Sequence, residues 1–186
     1  MNPEQSARPI SERFARGVAC FQNGDGVGAV QALESVIDED PGYRHTDGDN
    51  PYFYLGKIHE VEDRLDTAIE NYTRALTLDS WDEESLIGRG SCLTVRRRHA
   101  DAIADFKKAL SIPDHLRNAP AGQLLYAVAE NLRQMGDLTG ALDWSRRALK
   151  ADPDNFRHQE LVKTVARALG ADPWAPPGEN DRNHRP

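Results

Sequence analysis

Residues 49–82 read DNPYFYLGKIHEVEDRLDTAIENYTRALTLDSWD, and the small residues in this stretch decide the fold. Gly56 is followed twelve residues later by Ala68 and seven beyond that by Ala75. The same spacing returns as Gly17, Ala29 and Val36, as Gly90, Ala102 and Ala109, and as Ala129, Ala141 and Ala148. Between the small residues, Tyr52, Leu55, Ile58 and His59 share one stripe of a first helix, and Leu65, Ile69, Tyr72 and Leu76 share one stripe of a second. Two antiparallel helices approach closely only where the facing side chains are small, so the pattern predicts a series of helix–turn–helix repeats.

The period sharpens that expectation. Gly56 to Gly90 spans 34 residues, whereas Gly17 to Gly56 and Gly90 to Ala129 each span 39, one repeat plus five residues. Aligning on the small residues places repeats at 10–43, 49–82, 83–116 and 122–155, with inserts at 44–48 and 117–121. Gly24 and Gly136 are suited to the left-handed conformation that ends a helix, and Pro41 and Pro153 cannot donate a hydrogen bond to a continuing one.

The second repeat resembles the tetratricopeptide family. Tyr52, Leu55, Gly56, Ala68, Tyr72 and Ala75 occupy that family's fourth, seventh, eighth, twentieth, twenty-fourth and twenty-seventh positions. The third repeat offers Leu86, Gly90, Ala102, Phe106 and Ala109, and the fourth offers Leu125, Ala129, Gly136, Ala141, Ala148 and Pro153. The first keeps Gly17, Gly24, Ala29 and Pro41 but has Arg13 and Arg16 where large apolar residues are usual, so its first helix is expected to pack least well. The resemblance implies an all-α, right-handed superhelical solenoid of four repeats plus a C-terminal capping helix. Residues 156–170 suit that cap, with Leu161, Val162, Val165, Ala168 and Leu169 on one face. Residues 1–9 read as a flexible arm and 171–186 as a proline-rich, disordered tail whose Trp174 is able to fold back onto the cap.

Composition agrees with an array that has a thin core. The chain has 186 residues, 39% hydrophobic and 28% charged, with a formal net charge of -7. No apolar run approaches the ~18 residues that span a bilayer, and the N-terminus carries no secretory signature, so cytoplasmic residence is the default. Cys20 and Cys92 lie in different repeats and read as reduced, small core residues.

Several strings imitate chemical motifs. Gly24-Asp-Gly-Val-Gly-Ala29 satisfies a dinucleotide-binding pattern, but no hydrophobic strand precedes it, and it reads as a turn. Asp38, Glu39, Asp40, Asp47 and Asp49 fit no calcium loop, and the six histidines show no ligand spacing, so neither a metal nor a cofactor is expected. Arg96, Arg97, Arg98 and His99 form the main basic run, read as a solvated turn; the net negative charge argues against nucleic acid. Ser91 lacks the glycine that a nucleophile elbow needs two residues on, where Leu93 stands, and catalysis is not expected.

The resemblance also implies a ligand channel lined by the first helix of each repeat. Its positions correspond to Phe14, Val18 and Phe21; to Asn50, Phe53, Tyr54, Lys57 and Glu60; to Ile87, Ser91 and Thr94; and to Gln123, Tyr126, Glu130 and Arg133. Three of the five phenylalanines map to this channel, which points to an apolar contact surface. Relatives that grip a chaperone's C-terminal carboxylate use Lys, Asn, Asn, Lys and Arg at five set positions. Here those positions hold Phe14, Val18, Tyr54, Glu84 and Gly88, or, one repeat later, Phe53, Lys57, Gly88, Gln123 and Ala127, so that ligand is not expected. The expected function is a non-catalytic scaffold that binds a peptide, helix or protein surface in the channel. The alternative is self-assembly into homo-oligomers through it.

Overall fold

The computed structural model describes residues 8–174, and the rest of the expected arm (1–9) and tail (171–186) lies outside the described residues. Among the described residues nine helices follow one another: α1 (Ile10–Gln22), α2 (Gly26–Glu39), α3 (Pro51–Val61), α4 (Leu65–Leu78), α5 (Glu83–Val95), α6 (His99–Leu110), α7 (Ala121–Gln134), α8 (Leu138–Ala151) and α9 (Phe156–Leu169). In chain order they form four helix–turn–helix pairs and a final helix, an all-α architecture. The chain divides into two compact units, Met1–Arg96 and Arg97–Pro186, and the division falls in the turn between α5 and α6.

In the first unit the small residues act as contact points. A methyl group at Gly17 would lie 2.7 Å from Leu33 Cγ, and one at Gly56 would lie 2.7 Å from the Tyr72 ring, so only glycine permits these approaches. A methyl group at Gly88 of α5 would lie 2.5 Å from Cζ of the same ring. Tyr72 of α4 is therefore a fully buried wedge between two glycine faces, with its hydroxyl donating to Glu60 Oε2 at 2.6 Å. Arg13 is buried rather than solvated: Nη1 donates to the Ser35 carbonyl at 2.7 Å and Nη2 pairs with Glu39, while the buried Nε has no hydrogen-bond partner among the described residues.

The second unit holds α6 to α9. Ala102 and Ala109 of α6 are fully buried, as are Ala129 of α7 and Ala141 of α8. Leu142 of α8 packs on Leu161, Val162, Val165 and Ala166 of α9. Leu161, Val162, Val165 and Ala166 thus carry the covering face of α9; Ala168 and Leu169, expected on that face, are exposed in the last turn, and Trp174 is 58% exposed, while Arg146 of α8 donates to the carbonyls of Asp172 and Pro173 just before it.

The four turns within the pairs share one conformation. Gly24, Asp63, Arg97 and Gly136 each stand fifteenth in their repeat and have φ of 77°, 58°, 60° and 83°. Glycine adopts this region freely; Asp63 and Arg97 do so at a cost of about 1 kcal/mol each. In the two glycine turns the next residue caps the following helix: Asp25 accepts from the Gly28 amide at 2.8 Å and Asp137 from the Gly140 amide at 2.9 Å. The apparent dinucleotide pattern at Gly24–Ala29 is this capped turn.

Candidate functional site

The first helices of the pairs in unit one, α1, α3 and α5, carry most of the expected channel residues. Three of those residues are interior, which corrects the expectation that they are channel-lining. Phe14 is 3% exposed because the end of the first repeat, the insert and α3 close over it: Tyr43 and His45 each lie 5.4 Å from its ring centroid, and Tyr54 lies at 5.8 Å. Phe53 is 8% exposed, clustered with Tyr52, Tyr72 and Cys92. Asn50 is 1% exposed and caps α3, its side chain accepting from the Phe53 amide at 3.0 Å.

The remaining residues stay accessible. Phe21 and Tyr54 are half-buried, their rings edge-on at 5.6 Å, and Val18 packs beside them. The Tyr54 hydroxyl donates to Asp49 Oδ2 at 2.6 Å, so an aromatic ring and a carboxylate are presented together. Lys57 is exposed, its ammonium 6.0 Å from the Phe53 centroid. Glu60, Ile87, Ser91 and Thr94 are half-buried, and Thr94 Oγ1 donates back to the Gly90 carbonyl at 2.9 Å.

This face is electrostatically acidic. The Glu84 carboxyl is raised above the usual range by desolvation, opposed by Lys57 and reinforced by Asp82, Asp49 and Glu83. Burial first, and then the hydrogen bond to Asp49, push the Tyr54 phenol up; burial and Glu60 do the same to Tyr72. The Cys92 thiol is raised to about 11 by burial and by Glu60, which makes it an inert packing residue. Asp49 and Glu84 were not picked out as lining residues from sequence. Glu84 stands at the same repeat position as Asn50 and was legible only as a mismatch to the carboxylate-gripping pattern.

In unit two, α7 carries Tyr126, Glu130 and Arg133, all half-buried. Tyr126 stacks on the buried His158 of α9, with centroids 5.5 Å apart and planes at 28°. Arg133 grips Glu130 with two bonds, Nη2 to Oε1 at 2.5 Å and Nε to Oε2 at 2.9 Å, and Gln134 adds a third at 2.9 Å. Burial raises the Glu130 carboxyl, but the Arg133 and Gln134 hydrogen bonds with the charges of Arg133 and His99 outweigh it and hold it below the usual range. Gln123 is exposed at the start of the helix. Among the described residues no three His, Cys, Asp or Glu side chains converge as a metal site, and no helix is long and apolar enough to cross a membrane.

Two models of the tetratricopeptide repeat match the sequence, over residues 55–122 and 122–155, together more than half of the chain. No curated protein matches it. Solved structures do: a crystal structure of MamA has a TM-score of 0.74 at 19% identity, covering 87% of this chain and 82% of MamA. A tetratricopeptide repeat protein from Parabacteroides merdae has a TM-score of 0.72 at 19% identity, covering 87% of this chain and 60% of that one. The first TPR of Spaghetti (RPAP3), bound to the HSP90 peptide SRMEEVD, has a TM-score of 0.57 at 19% identity, covering 64% of this chain and 91% of that one. At these identities the likeness is one of fold, and with the repeat models it completes the assignment: the chain belongs to the tetratricopeptide repeat family.

Proposed function

We propose that this protein is a non-catalytic, cytoplasmic interaction scaffold built on repeats at 10–43, 49–82, 83–116 and 122–155. Its partner surface is the face of α1, α3 and α5 in the first unit that presents Val18, Phe21, Tyr54, Lys57, Glu60, Ile87, Ser91 and Thr94; in the second unit α7 presents Tyr126, Glu130 and Arg133 as a separate, weaker contact surface. The observation that carries this reading is the half-exposed Phe21–Tyr54 pair beside the exposed Lys57, an aromatic anchor with a charge at its edge. The two free cysteines support a reducing compartment.

The partner in this proposal is an internal peptide, a helix or a folded surface rather than a chaperone's C-terminal carboxylate. Supporting that is the chemistry at the gripping positions: Phe14 is interior, and Glu84 would repel a carboxylate. The net charge of -7 supports a protein partner over nucleic acid.

A displayed peptide library panned against the chain tests the proposal. Binders are expected to lose affinity with Phe21→Ala or Ile87→Asp and to keep it with Arg157→Ala on the exposed side of α9. Binders indifferent to Phe21 and Ile87 would overturn the face assigned here. Mass that grows with concentration and is abolished by the same two variants would assign the face to self-association instead.

A further inference from the structure

We propose that a second site, a shallow cleft in the second unit where α6, α7 and α8 meet, binds an acidic peptide segment of a partner protein. The cleft has a volume of about 410 Å3, with Leu110, Ala121, Leu125 and Trp144 along its apolar part and Lys107, Arg147 and the Arg117–Asp114 ion pair as its charged groups, a net excess of two cations. The Lys107 ammonium lies 5.1 Å from the Trp144 ring centroid, and the Arg147 guanidinium carbon lies 3.9 Å from it. One indole thus holds two cations from two different helices side by side.

Neither cation has a carboxylate partner among the described residues, in a chain where 30 acidic residues outnumber 23 basic ones. The neighbouring Arg117 is different. Its guanidinium is committed to Asp114 at 2.5 Å and to the carbonyls of Leu110, Ile112 and Ala119, where it closes the end of α6. Local charge neutralisation therefore stops at Arg117 and leaves Lys107 and Arg147 open. Because the tryptophan already orders both side chains, an incoming anion meets positioned donors and loses less conformational freedom on binding. Two carboxylates from one acidic segment satisfy the cations, while its aliphatic side chains lie on Leu110 and Leu125.

Nucleic acid suits the cleft less well. A base would have to displace the guanidinium from the indole before it could stack, and the net charge of -7 opposes a phosphodiester chain.

The double substitution Trp81→Phe/Trp174→Phe removes two exposed tryptophans and leaves Trp144 as the only one. Its emission, with calorimetry in parallel, is read during titration with a short peptide alternating glutamate and leucine, against the same peptide with glutamine for glutamate and against a short single-stranded oligonucleotide. A saturable response to the glutamate peptide alone is expected. Its affinity should fall about tenfold in Lys107→Gln/Arg147→Gln, and again on raising salt from about 0.1 to about 0.5 M. Arg147→Lys should retain most of the binding. Both charges are at the surface, so circular dichroism should show unchanged helix, and the single variant Lys107→Gln gives the same comparison with a smaller loss. No saturable response, an equal response to the glutamine peptide, or an unchanged affinity in the double variant would overturn the site and leave the pair of cations as a staple between helices. Tighter binding of the oligonucleotide would overturn it in favour of nucleic acid. The residues changed here are absent from the face of α1, α3 and α5, so failure of either proposal leaves the other standing.

Discussion

The α3–α5 face of the first unit and the α7 face of the second occupy equivalent places in the repeat but handle charge in different ways. On α7, Glu130 closes onto Arg133 and Gln134, and its carboxyl is held below the usual range. On the first unit's face, Asp49 and Glu60 accept only phenol hydroxyls, and Glu84 is held above it. The difference teaches which surface has charge left for a partner. A bidentate pair has already spent its donors and acceptors internally, whereas a carboxylate facing a tyrosine or a distant ammonium gains more from an incoming cation.

Tyr72 gives the largest expected effect, because the first unit's face is propped on it from below. Tyr72→Ala would leave a cavity between Gly56 and Gly88 and is expected to cost ~3–5 kcal/mol in chemical denaturation. A loss below ~1 kcal/mol would break the claim that one wedge organises α3, α4 and α5. Adding bulk tests each unit separately. Gly88→Ala in the first unit and Ala102→Leu in the second should each destabilise by ~1–3 kcal/mol, and a neutral Ala102→Leu would undermine the repeat register.

Binding measurements sharpen the comparison directly. For a ligand recovered by panning, Phe21→Ala should cost ~2 kcal/mol, roughly thirtyfold in affinity, and Arg133→Ala less than ~1 kcal/mol. The reverse order would move the principal site to the second unit. A smaller effect is expected at the left-handed turns: Arg97→Gly should stabilise by about 1 kcal/mol, whereas Gly136→Ala at the equivalent place should destabilise by a similar amount, both read from denaturation midpoints.

The pH response should be the smallest, under ~1 kcal/mol for either carboxylate. Glu130 has a depressed folded pKa, so its stabilisation is present above the unfolded value near ~4.3 and is lost as pH falls through the folded one. Glu84 has a raised folded pKa, so its penalty is absent at low pH and sets in as pH rises past the unfolded value and through the folded one. At neutral pH, Glu84→Gln should therefore stabilise and Glu130→Gln destabilise, with both differences vanishing in acid. Equal signs at neutral pH would remove the electrostatic contrast between the two faces.

Much of the fold was legible because it rests on short-range regularities. Helical stripes such as Tyr52, Leu55, Ile58 and His59 recur every turn, and the glycine at the end of α1 and of α7 marks its own turn. The candidate site was legible only in outline. Counting positions placed Phe14 and Phe53 in a channel, but whether a side chain at such a position meets solvent depends on what the rest of the chain lays over it. Residues 43–45 cover Phe14, and Tyr52 and Tyr72 surround Phe53. No local pattern announces either event. The wedge at Gly88 was missed for a related reason: the glycine serves a tyrosine sixteen residues earlier in the chain, outside its own helix pair.

By itself, then, the sequence determined the helical repeat, its family and the small contact residues, since each follows from spacings shorter than the repeat, where backbone geometry dictates which side chains share a face. Tertiary structure alone decided which expected contact residues remain open to a partner. It also brought Lys107 and Arg147 onto Trp144, and sorted the carboxylates into those already paired and those still available. Exposure and electrostatic environment are sums over neighbours drawn from several helices, so they exist only once the helices have packed.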